Sequence, residues 1–134
     1  IIRASDAAGA DAVVILPGTC NAFMPKTIRS TAGSIFNIPV IYLESEILFD
    51  YLDSKNIVLC AADVHAQMSI YKSNFKQPIA IAFGNEAHGV SEALLKRAKG
   101  LKIPIAGKAE SLNVAMAASV CLYEVVRQRK YRSQ

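Results

Sequence analysis

Apolar residues in this chain gather into short, nearly unbroken runs separated by polar stretches with a helical rhythm. The runs 12–16, 39–43, 57–61 and 79–83, with a shorter one at 101–103, have the length and Val/Ile content of buried parallel strands. Helices are predicted between them. The first spans 1–8 and is closed by Gly9, a residue suited to the left-handed position after a helix. Pro25 opens a second that continues over 26–34, and Ser45 caps a third over 46–54. Ser91 caps a fourth that runs to about residue 99, with Glu92 in its first turn and Lys96, Arg97 and Lys99 in its last. A long final helix covers 113–129. The segment 63–77 is polar, carries Tyr71, Lys72, Asn74 and Lys76, and reads as an irregular loop with a short turn near Ile70. Strands alternating with helices predict an α/β domain built on a mostly parallel sheet flanked by helices. There is no internal repeat, linker or low-complexity tract.

Composition narrows the class. The 134 residues suffice for one domain with a real core, and 52% hydrophobic with 19% charged residues excludes a wholly disordered chain. No window approaches the roughly 18 apolar residues of a membrane span, and a secretory signal pattern is absent. The first residues read like the inside of an element, so further residues are expected upstream. Cys20, Cys60 and Cys121 are widely spaced, without a Cys-x-x-Cys pair, which argues for reduced, mostly buried thiols in a cytoplasmic protein rather than a disulfide framework or zinc site. His65 and His88 have no partners at ligand spacing, and Asp50 with Asp53 lacks a second acidic pair, so no metal site is expected. The net charge of +4 permits a nucleic-acid partner without requiring one.

Two strand-to-helix junctions carry the candidate chemistry. The first is Phe83-Gly84-Asn85-Glu86, followed by Gly89 and Ser91: a glycine at a strand end allows close backbone approach, with an amide and a carboxylate beside it. It has neither the lysine of a phosphate loop nor the spacing of a dinucleotide fingerprint. The second is Ile103-Pro104-Ile105, then Gly107 and Ser111-Leu112-Asn113-Val114, where backbone N–H groups and two polar side chains meet a helix N-terminus. Taken alone, Ser111 or Asn113 serves equally well as a helix cap, Arg3 as a solvated helix residue, and Ala115, Ala117 and Ala118 as ordinary helix packing.

Together these blocks, with Cys121-Leu122-Tyr123-Glu124 and Arg127-Gln128-Arg129 behind them, resemble the signature blocks of the SpoU/TrmH family of RNA ribose 2′-O-methyltransferases. The first nine residues resemble the part of the family's opening block that starts at its arginine, here Arg3. Asn21 to Lys26 with Arg29, Gly33 and Phe36 resembles the stretch that follows. The asparagine that opens the family pattern, and the strand before it, are absent from this sequence. The likeness covers nearly the whole chain, in order.

The resemblance implies a SpoU-type domain over 1–134, a deep trefoil knot in its C-terminal part, and S-adenosylmethionine as cofactor. Its adenine is expected on the backbone around Gly84, Ile103 and Leu112, with Ala61, Ala62, Asn85 and Asn113 beside it. Arg3 is expected at the ribose and its phosphate as an orienting charge, since a guanidinium is a poor base, and Glu86, Ser111 and Asn113 as the groups that position it. Lys26, Arg29, Arg127 and Arg129 are candidates for the RNA backbone, with solubility charge as the plain alternative. A homodimer is implied, in which Arg3 can be supplied to the partner's cofactor. The substrate implied is ribosomal or transfer RNA. The other reading left open is a non-catalytic member that binds cofactor or RNA.

Overall fold

The computed structural model describes residues 1–85 and 88–131. In chain order the elements are α1 (Ile2–Ala8), β1 (Val13–Ile15), α2 (Pro25–Ser30), a 3-10 turn (Ser34–Phe36), β2 (Val40–Tyr42), α3 (Ser45–Ser54) and β3 (Val58–Ala62). There follow a 3-10 turn (Ile70–Lys72), β4 (Ile79–Ala82), α4 (Glu92–Arg97), β5 (Lys99–Leu101) and α5 (Val114–Lys130).

Every strand pairing is parallel, but the strands form two sheets rather than the single sheet expected. β1 pairs with β2, and β3 lies between β4 and β5. Three apolar clusters hold these layers. One joins α1 to the first sheet through Ile2, Val13, Ile15 and Ile38. The second seats α3 and α4 on β3 through Leu48, Leu52, Leu59, Ala61 and Leu94, with Val14 and Leu16 of the first sheet's edge packed against it. The third packs Cys121 and Val125 of α5 against Cys60, Ile70, Phe75 and Leu101. Phe75 and Cys121 are among the largest fully buried side chains.

Local chemistry explains where elements end. α1 stops at Gly9, which adopts φ 71°, ψ 39° as expected. The helix predicted over 26–34 breaks after Ser30, because Ala32 and Gly33 take positive φ of 49° and 91°, a conformation no right-handed helix continues through. Ser45 lies inside α3, whose cap position is Glu44, and Ser91 holds the cap position of α4 without a side-chain cap bond. The strand expected at 101–103 begins two residues earlier, in place of the last turn predicted for α4: Pro104 has no N–H to extend a ladder, and Leu101 is 2% exposed at the paired position.

β5 pairs with β3 along one edge, and the residue that follows it, Lys102, is held from the opposite side. Beyond its pairing with β3, Asp63 N–H donates to Leu101 C=O (2.9 Å), Lys102 N–H donates to Met68 C=O (2.7 Å), and Ile70 N–H donates to Lys102 C=O (3.0 Å). The segment that leaves β3 thus returns to flank the end of β5 on its far side.

Candidate functional site

Parallel pairing puts the carboxyl ends of β3, β4 and β5 on one edge. Ala61 faces Ala82 of β4 and Gly100 of β5, and Ala62 faces Leu101. The chain therefore leaves β4 at Phe83 and β5 at Lys102 on either side of Ala62, the position where α/β sheets take ligands. Ala61 is fully buried and Ala62 half-buried, and their small side chains keep this edge low. Phe83 and Ile103, half-buried at the roots of the two loops, pack on the same apolar cluster as Val120 and Cys121 of α5. Both junctions singled out in the sequence thus rest on one core together with α5.

The loop after β4 is folded on itself. Gly89 N–H donates to Asn85 C=O (2.9 Å) and His88 N–H to the Asn85 side-chain oxygen (2.6 Å), with Gly89 at φ 67°. A Cβ on Gly84 would collide with the backbone of Gly89 and Val90. The close approach that demands glycine here is made by the chain's own backbone, a different cause from the ligand contact expected of it. Glu86 lies outside the described residues.

The loop from β5 to α5 has the opposite character. Among the described residues, no backbone hydrogen bond involves 103–112. The stretch is exposed except at Ile103 and Ile105, with Leu112 at its end 37% exposed. Asn113 ends it as the N-cap of α5, its side-chain oxygen accepting from Ala115 N–H at 2.9 Å. Ser111 is exposed, and of the two candidate caps it is Asn113 that caps. Ala118 is fully buried, and Ala117 is half-buried beside it.

Arg3 sits on the exposed side of α1, whose other side, Ile2 and Ser5, is buried. α1 packs along α5, so Arg3 is carried by the helix that leans on the site's backbone element. Among the described residues no ion pair or hydrogen bond holds its guanidinium, nor the exposed cations Lys26 and Arg29 of α2.

Arg127 and Arg129 are engaged within the chain. Arg127 makes a bidentate pair with Glu124 (2.8 and 2.8 Å), and Gln128 donates to the same carboxylate (2.7 Å) and to Ser73 C=O (2.9 Å). The Glu124 side chain is 5% exposed. Its hydrogen bond from Arg127 holds the carboxyl below the usual carboxylate range, outweighing the opposing effect of burial. Arg129 donates to Phe75 C=O and Gln77 C=O (2.8 Å each). Burial pushes the Cys121 thiol up to about 11, with Cys60 adding to the rise, and pushes Cys60 up as well, against the nearby Lys99. Cys20 is exposed, not buried. Among the described residues, no three His, Cys, Asp or Glu side chains stand close enough to hold a metal, and no helix is long and apolar enough to cross a membrane.

One feature escaped sequence reasoning. The segment 71–76 and the end of α5 bound an open groove of about 860 Å³, lined by Tyr71, Lys72, Lys76, Arg127, Arg129 and Tyr131 with polar neighbours. Its signal, Tyr71, Lys72 and Lys76 in a polar loop, was visible, but nothing in the sequence placed that loop beside α5.

Comparison with known proteins agrees with this geometry. The SpoU rRNA Methylase family matches residues 1–123. The 23S rRNA (uridine(2479)-2′-O)-methyltransferase of Streptomyces viridochromogenes is 36% identical over 96% of this chain and 47% of its own length. The 23S rRNA (guanosine(2553)-2′-O)-methyltransferase RlmP of Bacillus subtilis is 38% identical over 93% of this chain and 51% of its own length. The crystal structure of the SpoU methyltransferase AviRb from Streptomyces viridochromogenes in complex with AdoMet superposes with a TM-score of 0.90, at 35% identity, over 96% of this chain and 53% of that one. The chain spans about half the length of the curated relatives it matches.

Proposed function

The chain belongs to the SpoU rRNA methylase family, and from that premise we propose that residues 1–134 form the methyltransferase domain of an enzyme that methylates ribose 2′-hydroxyls of ribosomal or transfer RNA from S-adenosylmethionine. The observation that carries the reading is the shared edge: the loops after β4 and β5 flank Ala62 and root on the core that supports α5.

The residues fit the cofactor. The backbone of 103–112, which makes no backbone hydrogen bond among the described residues, offers N–H and C=O groups of the kind an adenine's edge requires, with Ile103 and Leu112 as apolar walls and Ala61 and Ala62 leaving room at the sheet edge. Gly84 and Asn85 close the other side through the folded loop, and Asn113 fixes where α5 begins. When bound, the cofactor supplies a methyl group on a sulfonium, already a good electrophile. The protein's part is then alignment of the ribose hydroxyl and stabilisation of the charge that develops on it. Arg3, charged at any working pH, orients the phosphate and lowers the hydroxyl's pKa. Glu86, Ser111 and Asn113 position Arg3 and substrate, and Lys26 and Arg29 of α2 meet the RNA backbone, with Arg129 adding positive charge at the end of α5 and Arg127, paired with Glu124, reaching the same side.

The same reading includes a C-terminal trefoil knot, supported by the chain at the end of β5, where Leu101 bonds back to Asp63 on one side and Lys102 to Met68 and Ile70 on the other. It includes a homodimer, supported by Met116 and Tyr123 of α5, which stand seven residues apart and are 62% and 52% exposed. It places the enzyme in the cytoplasm with its RNA.

The test is to incubate the full-length protein with labelled S-adenosylmethionine and total ribosomal and transfer RNA, and to map the modified ribose. Arg3→Ala should lower transfer by about 10²-fold or more with cofactor affinity within about twofold of the parent. Cofactor binding without any transfer would leave the chain a non-catalytic member of its family.

A further inference from the structure

We infer that the groove between the segment 71–76 and the end of α5 holds a single-stranded stretch of substrate RNA flanking the methylated nucleotide, with Lys72 and Lys76 on its phosphates and Tyr71 and Tyr131 against its bases. The inference rests on the proposed RNA substrate and adds a place for it outside the cofactor edge.

Charge comes first. Among the described residues, four cations line the groove and no carboxylate does. Arg127 is balanced by the buried Glu124, and Arg129 is tied to neutral carbonyls and keeps its charge outward. Among the described residues no ion pair involves Lys72 or Lys76. Three uncompensated positive charges therefore stand along one concave surface, the footprint of a phosphate backbone.

The aromatic residues decide between an RNA and an acidic protein. Tyr71 is 57% and Tyr131 67% exposed, one on each wall. Tyrosines interleaved with lysines form a stacking platform that any base can use, whereas an acidic peptide would need only the charge.

Rigidity and position support the same occupant. The wall 73–77 is fastened to α5 by Gln128, which accepts from Phe75 N–H (2.9 Å) while donating to Ser73 C=O, so the groove is preformed. It also starts beside the proposed cofactor edge: Ile70, next to Tyr71, donates to Lys102, next to Ile103. A strand of RNA leaving that edge meets Tyr71 and Lys72 first.

The experiment measures fluorescence anisotropy of a short fluorescein-labelled oligouridylate with the full chain across a salt series. Lys72→Glu with Lys76→Glu should weaken binding at least tenfold and flatten the log–log salt slope by about 1.4, from roughly 0.7 per lost phosphate contact on a single strand. Tyr71→Ala and Tyr131→Ala should each weaken binding about fivefold or more with the slope unchanged. All four positions are exposed, and a melting curve shows each variant folded. No binding by the parent protein, or unchanged affinity and slope in the lysine pair, overturns the inference. Competition by polyglutamate as strong as by unlabelled RNA, with no effect of the tyrosine substitutions, reassigns the groove to an acidic protein and also overturns it. The methyl-transfer assay is independent: expected anisotropy losses without transfer to any RNA would defeat the proposed reaction and leave the groove standing. Transfer with unaltered anisotropy would do the reverse.

Discussion

Gly84 shows how one residue sets a loop. With a methyl group there, the backbone of Gly89 and Val90 has to move, and backbone moves only by opening the hydrogen bonds that Asn85 makes to Gly89 and His88. Gly84→Ala should therefore destabilise the fold by about 1–3 kcal/mol and weaken S-adenosylmethionine binding, readable by thermal melting and calorimetry. A variant of parental stability and affinity would show that the loop tolerates reshaping. The glycine stood out in the sequence, but the reason for it did not: a strand-end glycine signals close approach and is silent on what approaches. Asn113 was legible for a simpler reason, since capping is a contact between near neighbours.

At the scale of elements, α5 is more than one wall of a site. Its last turns reach across to the chain before β4: Gln128 satisfies Phe75 N–H and Ser73 C=O, and Arg129 satisfies Phe75 C=O and Gln77 C=O. An irregular segment keeps one conformation because a helix supplies the partners that a strand would have supplied. Gln128→Leu removes these two contacts, and the one to Glu124, while keeping the bulk, and leaving the Phe75 N–H and Ser73 C=O unpaired should cost about 1–3 kcal/mol, with faster amide exchange across 73–77. Exchange as slow as in the parent protein would mean the segment holds itself. Sequence periodicity gave the presence and order of the helices and strands, because burial of alternating faces is written locally. It missed the split after Ser30, which depends on positive φ at Ala32 and Gly33, and it missed the clamp, which joins residues more than fifty positions apart.

For the molecule as a whole, titration of buried groups should bound the range in which it stays folded. Glu124 is held below the ordinary carboxylate range by Arg127, so its contribution is complete above the unfolded carboxylate pKa of about 4.3 and fades as pH falls through the lower folded value. Cys60 and Cys121 are raised, the latter to about 11; their contribution is complete below about pH 8.5 and is lost as pH rises toward 11, because the unfolded chain releases protons that the folded one retains. Melting temperature against pH, under reducing conditions, should fall at both ends. Glu124→Gln should remove part of the acid limb and Cys121→Ala part of the alkaline one, and limbs unchanged in both variants would refute the assignment. That two cysteines would be buried was legible from composition and spacing. That the parallel strands divide into two sheets was not, since no run of residues announces its neighbour.

The distant partners of β5 and Lys102 carry a consequence for how the chain reaches this shape. Three residues, Lys99–Leu101, and the one after them draw their backbone partners from 60–63 and 68–70, all at least about thirty positions earlier. Neither the strand nor Lys102 can be held until those distant partners are in place. Slow assembly from such distant partners is then matched by slow escape, so the native form should outlast brief exposure to denaturant by kinetic persistence rather than by depth of the free-energy well.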